Sequence, residues 1–295
     1  MQNAEPVQLR QVRDFGQIIS TTFTFLKQNG KLFRSIGVLC LPFGIVGGFL
    51  AGGSAAEMQQ FSFDPGNDPG EVFGALRNSM LGMIPGYLLM AFGYILLVAV
   101  VHEYYRAYHL GEHTLLTSGD LFRRAMSQFG PYLGASLLCG LLAGIGFLLC
   151  IIPGVYVMGV LALVMPSIAI ERAGGSGSLG RSNYLVQGDF WPTLGLVIVI
   201  GLIHYVINMV LQFPVMIVSM TVGINTGIEA ASGGTPELPG WFRTFMMVAT
   251  AVQWCVVMLS YPIISACMLL KYFSRVEEKE ATGLQERLSG FDQAQ

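Results

Sequence analysis

Apolar positions run through this chain in long unbroken blocks. Five stretches carry no Asp, Glu, Lys or Arg at all: residues 35–56, 78–102, 125–170, 190–228 and 244–270. A bilayer core about 30 Å thick takes about 20 apolar residues of helix to cross. Four of the stretches therefore hold one span each, and 125–170 is long enough for two joined by a tight turn. The pattern predicts an all-α integral membrane helical bundle of six transmembrane helices, with short cytoplasmic interfacial helices between them. A soluble helical protein would have to bury every face of these segments while leaving few charges for its surface.

Residues 7–29 read as an amphipathic helix. Val12, Phe15, Ile19, Phe23 and Leu26 recur at spacings of three and four, with Arg13, Asp14, Gln17, Thr21 and Lys27 between them. The first span covers about 36–53, with Pro42 as a kink. An outer loop follows, whose repeated Asp-Pro-Gly around Asp64, Asp68 and Glu71 is turn chemistry. The second span runs from about 81 to 101 and emerges into 102–130, where Thr117 or Ser118 caps a short helix. Spans three and four form a hairpin around Ile151-Ile152-Pro153-Gly154, and Gly174-Gly175-Ser-Gly177 opens a third short helix. Span five starts near Trp191. Its apolar run would exceed about 50 Å as one helix, so a break is expected at Pro214, and the conformation of 213–240 stays open. Span six covers about 246–270, is kinked at Pro262, and leads to a charged cytoplasmic tail over 276–295. Residues 1–275 form a single membrane domain. It reads as a threefold repeat of interfacial helix plus hairpin over about 12–104, 118–172 and 176–274, echoed in Ile84-Pro85-Gly86-Tyr87, Ile152-Pro153-Gly154 and Leu238-Pro239-Gly240-Trp241.

Composition agrees with the pattern. Of 295 residues 53% are hydrophobic and 12% charged, roughly half the charged share of a soluble domain. Assigning alternate loops to the two sides puts every one of the 16 Lys and Arg except Arg77 and Arg243 on one side. Cytoplasmic loops retain Lys and Arg because translocating them is unfavourable, so both termini are expected inside. The net charge of −2 gives no basic balance toward nucleic acid. Membrane lipids are the expected partners, and protein partners are not legible. All five cysteines fall within expected spans and no CxxC pair occurs. No cofactor is expected. The first 30 residues lack a cleavable signal peptide, so the first span itself directs insertion.

The segment Pro153-Gly-Val-Tyr156, Pro166-Ser-Ile-Ala-Ile-Glu171 and Leu179-Gly-Arg181-Ser182-Asn-Tyr-Leu185-Val186-Gln-Gly188-Asp-Phe190-Trp191, with Leu269-Leu270-Lys271-Tyr272-Phe273-Ser-Arg275 at the end of the last span, resembles a bacterial membrane-domain family. That family includes the membrane domain preceding some glycerophosphoryl diester phosphodiesterases and many stand-alone multi-pass proteins. Gly180 departs from it, since a basic residue often precedes the Arg-Ser pair. The resemblance implies a bacterial plasma (inner) membrane protein and supplies no activity. The phosphodiesterase barrel itself needs more than about 200 further residues, so no enzyme is expected.

Three constellations carry candidate chemistry. His109-Leu-Gly-Glu112-His113 matches the inverted zinc motif H-x-x-E-H, against a plainer reading as an interfacial helix end with Tyr104, Tyr105 and Tyr108 at headgroup depth. Gly111 inside the motif argues against a helix there, and no third ligand follows. His204, Asn208 and Gln212 share one stripe of span five, with Gln253 of span six as a partner. They either fix helix packing by hydrogen bonds or line a polar cavity. Glu171, Arg172, Arg181 and Asp189 form either an ion-pair girdle or a site for anionic lipid headgroups. These features favour a protein that organises or moves lipid or another amphipathic molecule. A small-molecule permease built around His204 is the alternative, and a metal-assisted membrane enzyme a third class.

Overall fold

The computed structural model describes residues 6–61, 68–232 and 237–281. The expected turn at Asp64 and the tail beyond 281 lie outside them, as does the Glu71 side chain. The described residues form eleven helices and no strand: α1 Phe15–Gln28, α2 Gly30–Leu39, α3 Leu41–Phe61, α4 Pro69–His109, α5 Ser118–Ser127, α6 Phe129–Leu149, α7 Ile151–Leu161, α8 Val164–Glu171, α9 Gly175–Val186, α10 Phe190–Ala231 and α11 Phe242–Glu280. Five segments are long and apolar enough to cross a membrane: most of α4, α6, α7 with α8, most of α10, and α11. A sixth arises if α2 and α3, bent by 46° at Cys40, count as one. The chain is an all-α, multi-pass membrane helical bundle.

The physical reason is the solvent. Runs such as 196–203, rich in Val and Ile, favour strands in water, but in hydrocarbon only a helix satisfies its own backbone. The same reason overturns the expected break at Pro214. The helix α10 passes through that residue without interruption for 42 residues, about 63 Å. Proline removes one N–H and crowds one carbonyl, whereas breaking the helix would strip several backbone groups of partners where no water replaces them. Pro85 and Pro262 sit inside α4 and α11 in the same way. Pro85 therefore lies well within α4 and does not mark its start, unlike Pro153 in the first turn of α7 and Pro239 just before α11. The first interfacial helix is shorter than expected, beginning at Phe15 behind an Asp14–Gln17 capping box. The last span is longer, so residues 276–280 belong to α11 and not to a tail.

The fold divides into two compact units. Of the described residues, one comprises 6–36, 95–204 and 261–281, and the other 37–61, 68–94, 205–232 and 237–260. In the second, α3 meets its neighbours at glycine. A Cβ on Gly48 would lie 2.5 Å from the Cα of Ala251, one on Gly52 2.5 Å from the carbonyl oxygen of Met246, and one on Gly86 2.6 Å from the amide nitrogen of Ala51. Backbone approaches backbone here, the small-residue packing that replaces a hydrophobic driving force inside lipid. Near one end of this unit Ala56, Val222 and Phe242 form a small buried cluster, and Arg243 pairs with Glu57 at 3.0 Å.

The first unit holds α1 and α5–α9 with the adjoining parts of α2, α4, α10 and α11. Tyr104 donates to Asn29 Oδ1 at 2.8 Å, Tyr105 bonds Ser265 Oγ at 2.9 Å, and Tyr108 donates to the Val7 carbonyl at 3.1 Å. These tyrosines are buried against other helices of the unit. The helix α4 continues to His109, so its last turns pack inside the unit before Gly111, at φ +74°, turns the chain away. A single extended residue, Cys150, separates α6 from α7, with Gly146 and Gly154 packed backbone to backbone below it. Thr117 caps α5 in a capping box with Asp120, as expected.

Candidate functional site

The four charged candidates all enter ion pairs within the first unit. Arg172 ends α8 in the left-handed region, at φ 56°, a strained conformation for a residue with a side chain. There its guanidinium grips the fully buried Glu103 carboxylate of α4 with two bonds of 2.5 and 2.7 Å. Tyr132 donates to the same carboxylate at 3.4 Å. Arg106 closes the adjacent end of α8 by donating to the carbonyls of Ala169 and Ile170 at 3.1 and 3.0 Å.

Arg181 of α9 lies between Glu171, at 2.6 Å, and Glu280 of α11, to which it makes two bonds. The hydrogen bonds it donates to Glu280, opposed by burial and reinforced by Glu171, hold its pKa above the ordinary arginine value. Asp189 opens α10, where its charge complements the helix N-terminus. It accepts from Thr193 at 3.0 Å and pairs with Lys271 at 2.5 Å and Arg275 at 3.7 Å. The girdle is therefore three separate clamps, and each recruits α4 or α11. Glu103, Lys271, Arg275 and Glu280 were not named as partners from sequence, although the i, i+4 spacing of Lys271 and Arg275 matches one carboxylate between them.

The histidine-rich segment is dispersed. Glu112 pairs with Arg124 at 2.8 Å. His113 stacks at 4.4 Å on the Tyr108 ring, and His109 lies 5.0 Å from the Phe273 ring. Among the described residues no group of three His, Cys, Asp or Glu is placed to hold a metal ion. Of the polar stripe, Asn208 and Gln253 meet at 3.2 Å in the second unit, and the Gln253 Oε1 is buried without a hydrogen-bond partner. Gln212 is exposed on α10, and His204 falls in the first unit, partly buried.

A feature absent from the sequence reading is a groove of about 600 Å³ flanked by α7, the end of α9 and the start of α10. Ile151, Ile152, Val155, Tyr156, Phe190 and Trp191 give it apolar walls, and Asn183, Gln187 and Gly188 of the α9–α10 junction also line it. Gly188, at φ +81°, reverses the chain between α9 and α10, so Phe190 closes on Tyr156 at 5.0 Å between ring centres. Gly159 leaves room for it, since a Cβ there would lie 2.7 Å from the Phe190 ring. Ser182 ties α9 to α7 by bonding the Val160 carbonyl and the Leu163 amide.

No family model, curated protein or solved structure matches the chain. The geometry of these sites is what bears on function.

Proposed function

We propose that this chain is a non-enzymatic multi-pass protein of the bacterial plasma membrane, with both termini cytoplasmic, that holds or moves a lipid or another amphipathic molecule. The observation that carries the reading is the groove beside α7. Two of its flanking helices, α7 and α10, belong to candidate spans, which gives hydrocarbon chains access to it. Ile152 and Trp191 are 79% and 77% exposed there, and the only polar side chains other than the aromatic Tyr156 and Trp191 in the lining are the uncharged amides of Asn183 and Gln187. An acyl chain along the walls with an ester or hydroxyl at Asn183 and Gln187 matches that polarity. The side of the membrane follows from the Lys and Arg asymmetry, and the resemblance to the membrane domain preceding glycerophosphoryl diester phosphodiesterases supports the same compartment. The charged girdle contributes rigidity, since Arg172, Arg181 and Asp189 are each committed to opposite charges.

Native mass spectrometry of the detergent-purified protein tests this. The wild type is expected to retain phospholipid that Val155→Trp, which fills the groove, releases. Retention unchanged in that variant, or no lipid in the wild type, overturns the reading. A second reading, a permease with a polar midplane site, is favoured by the Asn208–Gln253 pair and its unsatisfied oxygen. Solute uptake abolished by Gln253→Leu in a folded protein would establish it.

A further inference from the structure

Asn208 and Gln212 stand one turn apart on α10, yet they end differently. Asn208 Oδ1 accepts from Gln253 Nε2 at 3.2 Å inside the second unit. Gln212 is exposed, and among the described residues nothing bonds its side-chain amide. That amide carries two donors and an acceptor oxygen. It also belongs to the apolar span. Residues 190–228 hold no charge, and any crossing of about 20 residues that fits among them and starts beyond Pro192 contains Gln212. A crossing centred in the run places it about 5 Å from the midplane. Polar groups at that depth face protein or a water-filled cavity and not lipid, so the surface around Gln212 calls for a protein cover.

The neighbours of the amide form a continuous strip. Tyr205, Met209, Met216 and Met220 fall with Gln212 at spacings of three and four over about 22 Å of helix, the spacing of a left-handed helix-pair seam. All four are at least half exposed. The strip bears no charge, its three methionines adapt to a facing surface, and it lies wholly within the second unit.

We propose that this strip of α10 is the interface of a parallel homodimer, in which Gln212 bonds its counterpart in a second copy of the chain. Two requirements select a second copy. The cover must be apolar along most of its length, and it must carry, at the depth of Gln212, one group that both donates and accepts. Copies inserted in the same orientation are related by a twofold axis along the membrane normal, which holds every residue at the depth of its counterpart. The strip then meets an equally apolar strip, and the two amides face each other as mutual donor and acceptor in a single register. One polar position in an otherwise apolar seam sets register and oligomer state in this way. None of these residues lines the groove beside α7, so the dimer stands or falls apart from lipid binding there.

The full-length protein, labelled at its amino terminus with a donor or an acceptor fluorophore, is reconstituted into phosphatidylcholine vesicles. Energy transfer is read as the protein is diluted with lipid. The wild type is expected to follow a monomer–dimer equilibrium. Gln212→Leu, a change that hydrocarbon tolerates, should weaken association about tenfold or more. Met216→Trp alters the strip without touching the amide and should weaken it too. Val210→Trp, turned about 160° away around the helix, should leave it unchanged. Transfer that never exceeds random mixing, a fit that requires more than two copies, or a Gln212→Leu curve that coincides with the wild type overturns the interface. Equal losses in Met216→Trp and Val210→Trp overturn it as well; if Met216→Trp does not fold, Gln212→Leu against Val210→Trp decides.

Discussion

Gly48→Ala is the smallest change that tests how the second unit is packed. The added methyl would stand 2.5 Å from the Cα and 2.8 Å from the amide nitrogen of Ala251, where carbon contacts normally settle at about 3.5–4.0 Å. Both obstacles are main chain, so no rotamer change relieves them and α3 must retreat from α11 by about 1 Å. A gap of that size forfeits about a quarter to a half of the dispersion energy at each atom pair along the contact. Overpacking in well-filled interiors costs about 1–3 kcal/mol, and a backbone obstacle places this case near the top, at about 3 kcal/mol. Gly140→Ala is the control: it lies on an exposed flank of α6 with nothing within 4 Å of its Cβ position, and no loss is expected. Thermal unfolding in detergent, read by size-exclusion recovery, measures both. Equal midpoints for the two variants would refute the close approach of α3 and α11.

Two further outcomes follow from the first unit. Arg172→Ala strands the Glu103 carboxylate, whose side chain has no exposure, and should destabilise by about 3–5 kcal/mol; the double variant with Glu103→Gln should recover part of that loss in the same assay, and a double variant as unstable as the single would count against the clamp. His113 has a depressed pKa in the folded protein, so the unfolded chain binds its proton more readily; the stability it contributes is present above its ordinary pKa of 6.5 and is lost as pH falls below it. The unfolding midpoint of the wild type should therefore drop on acidification more steeply than that of His113→Gln, and parallel curves would exclude His113 as the titrating group.

The spans were legible because one property, the absence of charge over about 20 residues or more, decides whether a segment can enter hydrocarbon. Caps were legible for the same local reason: Thr117 and Asp120 satisfy each other three residues apart. What the sequence concealed is set between distant segments. Arg181 announces a partner, but only the fold selects Glu280 over the nearer Asp189. Gly111 already spoke against the H-x-x-E-H motif in the sequence, but that Glu112 turns to Arg124 and His113 to the Tyr108 ring was not legible there. Pro214 misled because its effect depends on solvent: the rule that proline breaks helices holds where water receives the freed carbonyl. The groove had no signature at all, since Ile152, Tyr156 and Trp191 are ordinary lipid-facing residues until Gly188 turns α10 alongside α7.

The single-residue connection at Cys150 constrains how the chain is made. Leu148, Leu149, Ile151 and Ile152, on either side of it, are 87%, 74%, 72% and 79% exposed, so the bend presents nothing that draws it toward water. A link of one residue leaves no loop to absorb a charge at the tip, so an arginine placed there is expected to lower insertion of the hairpin before it affects the finished protein.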